Sequence, residues 1–255
     1  MKIATLNINS VNARLAPFLA WLDDIKPDIV LLEEIKTEYN GFPFFEISAA
    51  GYEAKVLGQK GYNGVAVLSK IPVNVLHENL PNFEDTQARY LEVQAGDVVI
   101  SSVYMPNGNP TGSEKFEYKL KFMDAFNEHA EKLLKQYDKV IFGGDFNVIL
   151  SADDVYDETL FKDNALCAEG ARRRLTALKY LGFYDVYKTL HAKENGYTYW
   201  DYGPTAFVND FGMRIDFFFA SASMIQTLKS CVVDKDLRKI EKPSDHTALV
   251  AEFEI

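Results

Sequence analysis

What most constrains this chain is a recurrence of short β-prone runs, at 2–9, 28–34, 64–69, 90–93, 98–105, 140–144, 214–220 and 247–255. Most alternate apolar with polar residues or are dense in Val, Ile and Phe, which suit a pleated, buried surface. Three stretches carry helical spacing instead. The first, over 14–25, sets Leu15, Phe18, Leu19, Leu22 and Ile25 on one face, with Pro17 in the first turn, where its missing N–H costs little. The second, over 113–137, carries the stripe Phe116, Leu120, Met123, Phe126, Ala130 and Leu133 behind an N-cap at Ser113. The third, over 169–181, turns Leu175, Leu178 and Leu181 inward and stops at Gly182. Strands divided by so few helices, with many antiparallel-looking connections, predict a layered α/β sandwich with its helices outside. No repeat, low-complexity tract or Pro/Ser-rich linker interrupts the chain, so residues 1–255 read as one domain.

Such a core needs apolar material, and a sequence that is 47% hydrophobic and 13% aromatic supplies it and excludes disorder. The charge balance points another way. Twenty-seven basic against 37 acidic residues leave a net charge of −10, which taken alone argues against a nucleic-acid partner. Net charge does not say where charges sit, however, and acids lining a metal site are offset by the cation they hold. Cys167 and Cys231 have no C-x-x-C spacing and no ligand cluster beside them, so neither a disulfide framework nor a zinc site is expected. Free thiols fit a reducing compartment. The start turns polar at Asn7, too early for a signal peptide, and no apolar run reaches the roughly 18 residues of a membrane span. The expectation is a cytoplasmic protein without a membrane partner.

The polar residues at the ends of these runs carry the functional signal. Asn7 and Asn9 share a strand face with Ile3 and Thr5, because side chains alternate with period two. Glu34 closes the apolar run 29–32, Tyr104 ends the run through Val103, and Asp145 and Asn147 follow 140–144. Asp216 lies within 215–219, facing opposite to Ile215 and Phe217, and Asp245 and His246 precede the last run. A buried carboxylate is costly unless paired or coordinated, so this distribution suggests one polar pocket at one edge of the sandwich. Taken singly, an Asp after a strand more often serves a turn or an N-cap, and His246 could equally be a turn residue. Asp216 stands apart, because Phe217, Phe218 and Phe219 argue for a buried strand.

At this point an ordered set of motifs comes into view. Leu6-Asn7-Ile8-Asn9, Glu33-Glu34-Ile35-Lys36, the segment from Gly58 to Ala66, and Tyr104-Met105-Pro106-Asn107-Gly108 are followed by Gly143-Gly144-Asp145-Phe146-Asn147. Then come Tyr197-Thr198-Tyr199-Trp200-Asp201-Tyr202, Arg214-Ile215-Asp216 and Pro243-Ser244-Asp245-His246. The set resembles the exonuclease III/AP endonuclease family of the DNase I-like superfamily over nearly the whole chain. Gly-Asp-Phe-Asn and Ser-Asp-His mark the superfamily; the Glu-Ile-Lys, Trp-Asp-Tyr and Arg-Ile-Asp segments narrow it.

The resemblance implies a four-layer α/β sandwich, two mixed β-sheets packed face to face and flanked by helices. It implies a DNA-repair phosphodiesterase cutting 5′ to abasic sites or acting at 3′ ends as exonuclease or phosphatase. Mg²⁺ is the implied cofactor, with Mn²⁺ as its substitute, and the partner is double-stranded DNA with abasic sites or blocked 3′ ends, bound by a monomer. Carried over by position, Glu34, Asn7 and Asp245 are metal ligands, Asp145 orients and deprotonates the attacking water, and Asn147 helps hold it. His246, paired with Asp216, and Tyr104 bond the phosphate. Asn9, Lys36, Lys60, Arg89, Asn107, Tyr199 and Met213 are expected to meet the substrate, with Arg172, Arg173, Arg174, Lys242 and Trp200 as further candidates. The Arg172–174 run could equally be a solvated helix face, and the aromatics could belong to the core.

Three departures from the family pattern bear on this. Glu33 stands where relatives usually have Gln, which predicts an extra negative charge beside the metal ligand. Thr247-Ala248 replaces Ala-Pro. Met213 takes a position often aromatic or leucine, which would change the fit of a nucleotide. The rival is a DNase I-like phosphoesterase for another ester, such as an inositol phosphate. A catalytically silent nucleic-acid binder is a second, although none of the key positions is missing.

Overall fold

The computed structural model describes residues 1–203 and 205–255. The chain runs β1 (Lys2–Asn7), α1 (Leu15–Ile25), β2 (Ile29–Glu33), α2 (Phe44–Ala49), β3 (Glu53–Leu57), β4 (Val65–Ser69) and β5 (Asn74–His77). It continues through β6 (Tyr90–Ala95), β7 (Val98–Tyr104), α3 (Glu114–Gln136), β8 (Lys139–Asp145), α4 (Glu169–Leu181), β9 (Phe183–Asp185) and α5 (Val186–Leu190). It ends with β10 (Asp216–Ser221), α6 (Ala222–Ile225), β11 (Leu228–Asp234) and β12 (Ala248–Phe253). Among the described residues the strands form two six-stranded sheets, ordered β11-β12-β1-β2-β4-β3 and β5-β6-β7-β8-β10-β9.

The sequence periodicity explains the layers. In β1, Ile3 faces the second sheet with Ile29, Leu31 and Leu249, while Ala4 and Leu6 pack outward beneath α1 with Phe18, Trp21 and Leu22. In β10, Phe218 and Ala220 join that inner core, whereas Phe217 and Phe219 pack outward with Phe122 and Phe126 of α3 and Leu175 and Leu178 of α4. Strands buried on both faces read as continuous apolar runs. The sheets also approach closely at Gly143 of β8, where an added Cβ would lie 2.4 Å from the Phe218 ring and 2.6 Å from Leu31. The four-layer sandwich implied by the resemblance is the fold.

The three expected helices form, and Ser113 caps α3 by accepting the Phe116 N–H at 3.3 Å. Gly182 ends α4 with φ of 119°, a conformation a side chain resists. The strands at 53–57, 74–77, 183–185 and 228–234 and the short helices α2, α5 and α6 were not legible from periodicity. No described helix is long and apolar enough to cross a membrane.

Topology decides where the polar strand ends go. Each sheet contains one parallel pair, β1·β2 and β7·β8, so the carboxyl ends of all four strands lie at one end of the sandwich. The antiparallel β10 starts there, since Asp216 pairs with Asp145, and β12 starts just after His246. Asn7, Glu34, Tyr104, Asp145, Asp216, Asp245 and His246 are thereby gathered by strand direction alone.

Candidate active site

These ends surround a cavity of about 480 Å³ lined by Glu34, Tyr104, Asn107, Asp145, Asn147, Tyr199, Met213, Asp245 and His246, among others. Several leave their strands through a left-handed backbone: Asn9 (φ 47°), Glu34 (50°), Lys36 (55°) and Asn147 (49°). For residues other than glycine this conformation is uncommon and strained, and such strain collects where side chains must be aimed against local preference.

Asn7 sits at the floor, fully buried. Its Nδ2 donates to Glu34 Oε1 and Asp145 Oδ2, both at 3.0 Å, so it presents its amide nitrogen to the two carboxylates. Its Oδ1 accepts the Asn9 N–H at 3.2 Å, so both ends of the amide are engaged beside the acids. Asp145 Oδ1 accepts the Asn147 N–H at 2.9 Å, which fixes the carboxylate plane. Burial pushes the Asp145 carboxyl up to about 7, against the pull of the His246 charge.

His246 Nδ1 lies 2.8 Å from Asp216 Oδ2, and its Nε2 lies 3.7 Å from Asp145 Oδ2. Burial pulls the imidazole pKa down, but Asp216 and Asp145 outweigh it and raise the group to about 10. A cationic imidazole held by one carboxylate therefore faces a second one. Asp216 itself stands behind His246 rather than on the cavity wall.

Glu34 stays ionised. Burial alone would raise its pKa, but hydrogen bonds from Asn7, Lys36 and Tyr104 and the Lys36 charge hold it below the usual range. Lys36 Nζ is 2.8 Å from Glu34 Oε2 and donates to Asn9 Oδ1 at 2.6 Å; Asn9 Nδ2 in turn donates to Asp245 Oδ1 at 2.9 Å. Burial raises Asp245 too, and the His246 charge and the Asn9 bond more than reverse it. Tyr104 donates to Glu34 Oε1 at 2.7 Å, and burial with the nearby acids keeps its phenol protonated, well above the ordinary tyrosine range.

The adjacent Glu33 sits in a different environment. Its side chain turns into the space between the sheets, where Thr5 and Ser102 donate to it at 3.1 and 3.0 Å. Burial first, and then the charge of Asp216, push its pKa well above the usual carboxylate range.

The expected substrate contacts divide. Asn107 is in place, donating to Asn147 Oδ1 at 3.0 Å. Tyr199 stacks edge-on against His246, with ring centroids 5.0 Å apart, and its backbone bridges to Met213 and His246, which ties that wall together. Trp200 is wholly buried, donates to Asp210, and belongs to the core. Arg89 sits behind the cavity, its guanidinium 4.8 Å from the Tyr104 ring centre. Lys60 is exposed on the 58–64 loop and Lys242 near the approach to β12, neither with an acid partner among the described residues. Arg172, Arg173 and Arg174 are engaged by Glu158, Glu169 and Asp124, so the run is a paired helix face.

Sequence reasoning missed Lys119. A lysine on an amphipathic helix reads as solvent-facing, yet Lys119 is fully buried and donates to the carbonyls of Asn147 (2.6 Å) and Asn107 (3.0 Å). Burial lowers its ammonium to about 7. Also missed were Tyr156 and Phe211 on the cavity wall, stacked with centroids 4.9 Å apart, because loop aromatics carry no periodic signal.

An ionised glutamate beside an aspartate–imidazole pair, at the carboxyl ends of two stacked mixed sheets, defines a metal-dependent phosphoesterase. The sequence matches the endonuclease/exonuclease/phosphatase family over residues 4–246, and the chain belongs to that family. It is 30% identical to an exodeoxyribonuclease III of Haemophilus influenzae, covering 99% of this chain and 100% of that protein. A 3′ phosphatase from Neisseria bound to a product DNA hairpin superposes with a TM-score of 0.97 at 34% identity, each chain covered fully. An AP endonuclease from Archaeoglobus fulgidus superposes at 0.96 with 32% identity, again over all of both chains.

Proposed function

We propose that this hydrolytic nuclease, a DNA-repair phosphodiesterase, works on double-stranded DNA at abasic sites, cutting 5′ to the lesion, and at blocked 3′ ends. We take residues 1–255 as one catalytic domain, acting as a cytoplasmic monomer. The observation that carries the reading is the convergence of Asp145, the Asp216–His246 pair, Tyr104 and Glu34 on one cavity.

Glu34 and Asp245 offer ionised oxygen donors and few of them, a set that suits Mg²⁺, or Mn²⁺ in its place. Bound there, the ion would supply Lewis-acid stabilisation of charge on the phosphate and the leaving oxygen. The remaining work falls to the chain's own side chains. Asp145, with its raised pKa and both oxygens held by Asn7 and the Asn147 N–H, is positioned to take the proton from water. His246 presents a charged Nε2–H to a non-bridging oxygen, its tautomer set by Asp216. Tyr104 adds a neutral phenol donor, and such preorganised donors act where charge develops. Asn107 and Asn147 supply amides, while Tyr199 and Met213 wall the space for a sugar. Lys36 and Asn9 hold Glu34 and Asp245 in register.

The test is cleavage of a labelled duplex carrying one abasic-site analogue, with Mg²⁺ and with EDTA, beside a duplex ending in a 3′-phosphate. Metal-dependent incision 5′ to the lesion supports the endonuclease reading. Removal of the phosphate without incision narrows the protein to 3′-end repair. If neither duplex reacts, DNA is the wrong substrate, and an inositol phosphate becomes the next ester to try.

A further inference from the structure

On the outer face of the second sheet, beneath α3, His77 of β5, Glu92 of β6 and His129 of α3 converge. Their ligating atoms lie within 4.8 Å of one another. His129 Nε2 is 2.7 Å from Glu92 Oε2, and His77 Nε2 is 3.9 Å from Glu92 Oε1. Three ligands at zinc-type bond lengths of about 2.0 Å in a tetrahedral shell stand about 3.3 Å apart, a spacing within the 4.8 Å that spans these donors.

Two further observations point to a ligand. Glu92 is fully buried, and Tyr90, Ser101 and His129 all engage Oε2. Oε1 is sealed from solvent and has no hydrogen-bond partner among the described residues, a costly arrangement for a carboxylate oxygen. That orphaned atom is the one nearest His77. The strand register is also adjusted to bring His77 there. Val75 pairs with Val93, yet His77 pairs with Glu92, so the ladder slips by one residue between them. An unbroken ladder would have set His77 opposite Leu91, on the inner face; a bulge redirects a side chain to the other face.

We propose that His77, Glu92 and His129 form a site for a zinc-class transition-metal ion that fastens edge strand β5 to α3. Two imidazoles and one carboxylate suit Zn²⁺ or its neighbours in the first transition row, with water as the fourth ligand, and do not suit Mg²⁺. The half-exposed His77 ring gives the ion a way in from solvent. Both cysteines are buried and make poor competitors for it. Neither His77 nor His129 belongs to the catalytic machinery, so the site stands apart from the nuclease reading.

The full chain, stripped of metal and held in excess Mg²⁺, is given Zn²⁺, passed through a desalting column and analysed for bound zinc, alongside His77→Ala. The wild type should retain one more equivalent than the variant, and Zn²⁺ should raise its melting midpoint by a few degrees, a shift absent from the variant. Nuclease rate without zinc should match in the two proteins. Co²⁺-loaded wild type gives a reading that needs no variant: paramagnetically shifted imidazole resonances from two histidines. Equal zinc retention by both proteins, or no such resonances, overturns the proposal.

Discussion

Glu34 takes a left-handed backbone at the end of β2, and that turn separates it from Glu33. One carboxylate is delivered to the cavity, where its pKa is held low; the other is sealed between the sheets, where its pKa is pushed up. A carboxyl whose folded pKa is raised contributes fully below its unfolded value, near 4.5, and the contribution fades as pH climbs toward the folded value. Glu33→Gln removes that dependence. Its stability relative to wild type should therefore rise as pH increases above that unfolded value, by at most about 1.4 kcal/mol per pH unit, as read from paired denaturant melts. Asp145→Asn tests the proposed base. Turnover should drop by roughly 10²–10⁴ in single-turnover assays while duplex binding changes little; near-normal turnover would remove Asp145 from that role.

Among the elements, those the sequence revealed are the ones buried on both faces. Runs such as 29–32 and 140–142 are apolar throughout, and polar residues resume at their ends. Strands β3, β5, β9 and β11 lie at sheet edges. One side of each meets no neighbouring strand, so Glu53, Lys55, Asn74 and Lys229 are tolerated and the pattern is diluted. The site was legible through its acids and its histidine, which need partners once buried. Lys119 and the outward turn of Glu34 were not, since both depend on backbone carbonyls and dihedral angles that composition does not encode. Arg214 belongs to the same hidden layer. It joins Asp154 (2.7 Å) to Asp185 (2.8 Å), locking the loop before the cavity wall onto β9 and β10. Arg214→Leu leaves two buried acids unpaired and should cost about 3–5 kcal/mol, measured by chemical denaturation.

For the whole molecule, a net charge of −10 makes contact with a polyanionic substrate depend on local bases, of which Lys60 and Lys242 are exposed. Duplex affinity should fall steeply with added salt, and Lys60→Ala or Lys242→Ala should each flatten the slope by about one. A flat titration in the wild type would count against DNA as partner. EDTA should abolish cleavage while leaving the circular dichroism of the sandwich intact, because apolar packing on both faces holds the sheets.

The pairing of β1 with β12 has a consequence for how the protein comes into being. β1 lies between β2 and β12, and Asn9 meets Asp245 across 236 residues of chain. A nascent polypeptide lacks the serine, aspartate and histidine of 244–246 long after β1 has been made. A fragment that stops before residue 244 should therefore be inactive as a nuclease, because Asp216 and Asn9 have lost their partners.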